Sequence, residues 1–178
     1  VPPSFDWVGF KSVNVGKAHI NGAEFTILVQ GDIKGIKTTI YGGYTYMSPI
    51  NFNTDSAYLA TVSDTSSNLL KYRYQHLVKA DVQFQKGRWT LGFSARYNSF
   101  MVNVDDIFEE EFILPGVRNY RERNNTGDWV FDSRISANFS EKSTLALVVN
   151  NVTNREYMGR PGDIKPPRLT SLRYTLKF

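Results

Sequence analysis

Neighbouring residues along most of this chain differ in character, and that two-residue period constrains the fold more than any other feature. From Tyr72 to Phe84 one parity reads Tyr72, Tyr74, His76, Val78, Ala80, Val82 and Phe84, while the other reads Arg73, Gln75, Leu77, Lys79, Asp81 and Gln83. Successive side chains of a strand leave opposite faces. The segment is therefore predicted to be a strand with a polar face and an apolar face that is aromatic at both ends. The next segment sets Trp89, Leu91, Phe93, Ala95, Tyr97, Ser99 and Met101 against Arg88, Thr90, Gly92, Ser94, Arg96 and Asn98. Only Gln85-Lys86-Gly87 lies between the two, a tight hairpin with Gly where a positive φ is needed.

Five further segments follow the same rule. Ala23, Phe25, Ile27 and Val29 oppose Glu24 and Thr26, with a bulge expected at Gly22. A turn near Gly31–Gly35 leads into Ile36, Thr38, Ile40, Gly42, Tyr44 and Tyr46. Trp129, Phe131, Ser133, Ile135, Ala137 and Phe139 oppose Asp128, Asp132, Arg134, Ser136 and Asn138. After Ser140-Glu141-Lys142 come Leu145, Leu147 and Val149, and the last segment places Thr170, Leu172, Tyr174, Leu176 and Phe178 together.

A soluble β-sandwich also alternates, but it gives no reason for aromatics to gather at strand ends. Tyr44, Tyr46, Tyr72, Tyr74, Phe84, Trp89, Trp129 and Phe139 do so here, as in the interfacial girdles of a membrane barrel. Connections also alternate in length: short at Gly31–Gly35, Lys86–Gly87 and Ser140–Lys142, long at Ser48–Lys71, Val102–Asn125 and Val152–Pro166. Short periplasmic turns and long extracellular loops are the asymmetry of outer-membrane barrels. The fold expected is an all-β, antiparallel transmembrane barrel wall of seven strands. No run approaches the ~18 apolar residues of a membrane helix, and mean hydropathy is below zero. Both follow when every second residue of a spanning strand is polar.

Periplasmic turns put the C-terminus at Phe178 in the periplasm. An odd strand count then leaves the barrel incomplete, with its N-terminal part missing, unless Phe5–Phe10 adds an eighth strand. Residues 1–178 are read as one segment of one barrel domain. Arg73, Lys79, Asp81, Arg88, Arg96, Asp128, Asp132 and Arg134 share the polar parity and are expected to line the lumen and pair across strands. The Val102–Asn125 loop carries Asp105, Asp106, Glu109, Glu110 and Glu111, then Arg118, Arg121 and Arg123. Its carboxylates are candidates for a cationic ligand or Ca²⁺, although such runs are ordinarily solvated and no Gly-punctuated calcium spacing is present. No metal or cofactor is assigned. The absence of Cys excludes thiolate sites, and His19 and His76 stand apart on separate strands. The basic residues are interspersed with acids, which argues against nucleic acid. No nucleophile elbow, metal cluster or phosphate-cradling loop is present, so no enzyme is expected.

The tail Leu172-Arg173-Tyr174-Thr175-Leu176-Lys177-Phe178 resembles the C-terminal signature of outer-membrane proteins. That resemblance makes Leu172, Tyr174, Leu176 and Phe178 the signal read by the barrel-assembly machinery. Asn14-Val15-Gly16-Lys17 with Asn21-Gly22-Ala23-Glu24 resembles a late strand of TonB-dependent outer-membrane receptors. Asn150-Asn151-Val152-Thr153-Asn154-Arg155-Glu156-Tyr157, then Arg160-Pro161-Gly162 and Pro166-Pro167-Arg168, resembles their final hairpin and loop, most closely in receptors of the Bacteroidetes type. The resemblance runs from about Asn14 onward. It implies the last seven strands of a plugged barrel of about 22, importing a siderophore, haem, glycan or peptide. The implied partners are the rest of the barrel and its plug, TonB through the missing N-terminal part, and the lipid and lipopolysaccharide of the outer membrane. A second reading is a small standalone barrel or an accessory subunit of a larger outer-membrane complex. Tyr58, Phe108, Phe112 and Tyr120 on the long loops would then contact a surface lipoprotein.

Overall fold

The computed structural model describes residues 17–53 and 67–178. The expectations for Phe5–Phe10, Asn14–Gly16 and Tyr58 lie outside those residues. Seven strands form one antiparallel sheet in chain order: β1 (Ala18–Ile33), β2 (Ile36–Asn51), β3 (His76–Lys86), β4 (Trp89–Asn98), β5 (Asp128–Asn138), β6 (Ser143–Asn150) and β7 (Leu169–Leu176). One helix, α1 (Val117–Arg123), and a 3-10 turn at Asp106–Glu109 lie between β4 and β5. Among the described residues the sheet stays open, because β1 pairs only with β2 and β7 only with β6.

The register joins the predicted apolar parities into one surface. Phe25 faces Tyr44, which faces Val78, then Tyr97 and Trp129. Lower down, Ile40 faces Val82, then Phe93 and Ser133. Ile135, Leu147 and Leu172 carry the same face to the last strand. A one-residue slip at any pairing would have broken that continuity. Among its strand residues this face has no Asp, Glu or Arg, and its one Lys is Lys86 at the lower margin. It leaves large side chains uncovered, including Phe25 at 62%, Phe93 at 48% and Leu172 at 72% exposure. So large an apolar surface requires an apolar neighbour. Tyr44, Tyr46, His76, Tyr97 and Trp129 edge it at the long-loop end, and Phe84, Trp89, Phe139 and Tyr174 at the other. From Trp89 to Tyr97 is roughly 27 Å of strand. Tilted as spanning strands are, that covers about 20 Å of a ~25 Å apolar band.

Several boundaries differ from the sequence reading. β1 runs unbroken through Gly22, paired with Met47, so no bulge is present. A Cβ there would sit 2.6 Å from the Tyr46 carbonyl oxygen, and close approach of the two backbones accounts for the glycine. The first hairpin turns on Lys34-Gly35 alone, at φ 53° and 79°, the double positive φ of a type I′ turn. Tyr72, Arg73 and Tyr74 precede β3 rather than belonging to it, and Ser99 and Met101 lie beyond β4, where both are buried. The connection expected to be a solvated loop at Val102–Asn125 contains α1 and the 3-10 turn and encloses much of the buried apolar matter.

Candidate functional site

Two features of the sheet can meet a solute: the polar face, and the assembly of long connections at one end. On the polar face Arg134 of β5 reaches across β4 to Asp81 of β3. Its two terminal nitrogens donate to the two carboxylate oxygens, each at 2.7 Å. The Ser94 hydroxyl between them donates to Asp81 at 2.6 Å. The path passes over Gly92, where an added Cβ would lie 2.5 Å from the guanidinium carbon. Glycine is the residue that leaves this bidentate pair its room. Asp132 accepts from Arg96 at 3.3 Å and from the Asn151 amide at 2.7 Å.

Lys79 and Arg96 sit directly opposite each other in the β3–β4 register. Like charges so placed repel. Among the described residues no ion pair involves Lys79, whereas Arg96 reaches Asp132 at 3.3 Å. The polar face thus carries at Lys79 a positive charge that no ion pair among the described residues neutralises.

Two residues read as lumen-facing are elsewhere. Arg88 lies in the β3–β4 turn with its guanidinium over the rings of Trp89 and Phe139, 5.4 and 6.0 Å from their centroids. Arg73 lies in the loop ahead of β3. Asp128 keeps its parity but is buried under the long connections rather than facing open space.

Those connections fold into a cap. Val117 and Tyr120 of α1 pack with Met158 of the β6–β7 loop and with Leu114. Val117 and Tyr120 are one helical turn apart, so both fall on the same side of α1. The Tyr120 hydroxyl donates to Asp128 and accepts from the Met158 amide at 3.2 Å. Arg155 donates to the other Asp128 oxygen at 3.0 Å. Burial first, and the carboxylate beside it second, hold the Tyr120 hydroxyl well above the ordinary tyrosine range. Tyr120 is therefore an internal tie and not the surface contact expected from sequence. Tyr74, expected at the interfacial girdle, instead donates to the Met158 and Gly159 carbonyls at 3.0 Å each.

Tyr72, likewise expected in that girdle, sits at φ 61°, unusual for a bulky residue. Its hydroxyl and the Lys71 ammonium both donate to Asp105. Burial and that carboxylate raise the Tyr72 hydroxyl as well. Three of the other four acidic candidates are also used within the loop. Glu109 pairs with Arg121 and Glu110 with Arg118 at 3.2 Å, while Glu111 accepts from the Gly116 amide at 3.1 Å. Arg121 also lies over Phe100 at 4.5 Å. Asp106 is exposed at the start of the 3-10 turn, and Phe112 is exposed beyond it.

Residues quoted above only as part of the family-like motif, with no role given to each, hold the last loop. Asn151 and Asn154 adopt φ 51° and 52°, a conformation Asn tolerates better than most residues. Asn151 is 2% exposed and exchanges hydrogen bonds with the Arg155 backbone at 2.8 Å each way. Asn154 accepts from the Arg168 amide at 2.8 Å. The Asn-Val-x-Asn spacing and the distant Arg168 are thus one closed loop; the spacing was the available signal, although its geometry is not written in it. Beside the cap a groove of about 410 Å³ is lined by Tyr72, Arg73, Phe108, Arg160 and Pro161. The Phe108 ring meets Tyr72 edge-on at 6.0 Å. Two guanidinium groups and two rings are the chemistry for a solute with anionic groups on a planar framework.

Residues 1–152 match the family of TonB dependent receptor-like β-barrels. No curated protein sequence matches the chain. Among solved structures, the closed form of the ferric-catecholate import receptor Fiu from E. coli K12 superposes with a TM-score of 0.65 at 22% identity. The match covers 90% of this chain and 21% of that receptor, so the chain spans about a fifth of its length. At that identity the likeness concerns the fold.

Proposed function

The chain belongs to the TonB-dependent receptor β-barrel family, and on that premise we propose that it forms the C-terminal seven strands of an energised outer-membrane importer. The observation that carries this reading is the two-faced sheet: an apolar face almost free of charge, backed by a face bearing Lys79, Asp81, Arg96, Asp132 and Arg134. Lipid on one side and a plugged, polar lumen on the other give each face its solvent. The short turns lie in the periplasm and the cap outside. Leu172, Tyr174, Leu176 and Phe178 serve as the assembly signal, and energy comes through TonB by way of a plug domain. The charge of Lys79, beside Arg96, meets acidic groups of the plug or of passing cargo.

Cargo first meets the groove at the cap. Arg73 and Arg160 there favour an anionic siderophore or haem over an uncharged glycan. The ferric catecholate in the name of the similar structure is of that anionic, aromatic class. The test is cargo binding and uptake by cells carrying the intact receptor. Arg73→Ala with Arg160→Ala should weaken binding about tenfold or more, the scale of losing charged hydrogen bonds. Deleting TonB should abolish uptake and leave surface binding intact. Uptake that persists without TonB would remove the energised reading, and unchanged binding in the double variant would remove the groove from it.

A further inference from the structure

At the short-turn margin the apolar face changes character. Lys86, the only Lys or Arg among its strand residues, is register partner to Trp89. Arg88 joins it from the turn, its guanidinium held over Trp89 and Phe139. The Arg88 carbonyl accepts the Asn138 amide at 2.9 Å, which ties this turn to the end of the neighbouring strand, one residue before Phe139. No ion pair between described residues involves Lys86 or Arg88. Acidic Glu141 lies in the next turn but makes no bridge to either.

The opposite margin of the same face has no Lys or Arg among its strand residues and is hydrogen-bonded from within. Tyr44 bonds His76 at 2.8 Å, and Tyr97 donates to the Thr126 carbonyl at 2.8 Å. The short-turn margin therefore combines two cations with two large rings at the level where a bilayer places its headgroups. A Lys on an apolar face extends its ammonium toward that level. A guanidinium confined between rings presents its planar fork, the shape that takes a phosphate through two hydrogen bonds.

We propose that Lys86, Arg88, Trp89 and Phe139 form a headgroup site for an anionic phospholipid in the leaflet at the short-turn end of the barrel. The site rests on the membrane placement above but on neither the cargo nor TonB. Lys86 and Arg88 supply the charge; Trp89 and Phe139 position the guanidinium and pack against the upper acyl chain.

The test uses the intact receptor in nanodiscs containing equal phosphatidylglycerol and phosphatidylethanolamine, followed by native mass spectrometry of the lipids that stay bound. The wild type should retain phosphatidylglycerol several-fold over phosphatidylethanolamine, and Lys86→Gln with Arg88→Gln should bring the ratio to parity. Lys86→Arg should keep the preference. The preference should also collapse in about 1 M salt, where surface electrostatics are screened within ~3 Å, a readout that needs no variant. Inorganic phosphate at millimolar excess should not displace the lipid. Equal retention by the wild type, a preference untouched by the double variant or by salt, or displacement of the lipid by inorganic phosphate would each overturn the proposal. Cargo binding measured on the same samples separates failure of this site from failure of the import reading.

Discussion

Tyr120 shows how single side chains hold the cap together. Its proton lies between a buried phenol and the Asp128 carboxylate, so ionisation would place a second anion beside the first in a site shielded from water. The folded protein holds that proton more tightly than the unfolded chain does. The stabilisation is fully present below the ordinary tyrosine value near pH 10 and is lost as pH rises toward the higher folded value. Tyr120 should therefore titrate late in an alkaline titration followed by carbon NMR of labelled tyrosine rings, its resonance assigned with Tyr120→Phe. A Tyr120 resonance that titrates near pH 10 would mean the cap does not shield it. Contacts of this kind leave little trace in a sequence. The alternation placed Asp81, Gly92 and Arg134 on one face, but that Arg134 reaches two strands away over a glycine follows from register, which parity alone does not set.

At the scale of elements, the strand faces were legible because both signals repeat: a two-residue period and connections that alternate short and long. The face assignment makes a paired prediction at mid-span. Val82 lies on the apolar face, register partner to Ile40 and Phe93, while its neighbour Gln83 lies on the polar face near Arg134. Val82→Arg should cost roughly 2–4 kcal/mol, the depth-dependent penalty of a guanidinium facing hydrocarbon. Gln83→Arg should cost under about 1 kcal/mol, because that side is wet. Urea unfolding of the intact receptor in lipid vesicles measures both, and equal costs would mean that the faces are assigned the wrong way. Strand ends were less legible. Tyr72 and Tyr74 continue the alternation past the start of β3, and what excludes them is a positive φ at Tyr72 and its amide bond to the Asn103 carbonyl at 2.9 Å. Helix α1 offered only Val117 and Tyr120 as apolar residues within seven, too short a periodic signal among charges to stand out.

The whole molecule is decided by its two edges. β1 is 16 residues long and β7 only 8, so the two cannot close on each other along their full length. Each edge carries a row of backbone groups without a strand partner among the described residues. In hydrocarbon each unsatisfied group costs several kcal/mol, a total that exceeds the 5–15 kcal/mol by which proteins are ordinarily stable. Lipid therefore tolerates this sheet only when strands from elsewhere cover both edges, as they would in a barrel of about 22 strands. Hydrogen exchange reads this directly. In the intact receptor the amides of β1 and β7 should be protected to the same degree as those of β4, which lies between two partners. In the 178-residue chain alone, refolded in micelles, the outer edge of β1 should exchange fastest and the chains should associate through it. A monomer of this chain alone, shifting in mobility on heating and protected at every strand, would show that seven strands close by themselves. It would also replace the importer's wall with a small self-contained barrel. Fast exchange confined to β1 and β7, suppressed when the upstream strands are supplied, would instead identify those edges as the seams where the rest of the barrel joins.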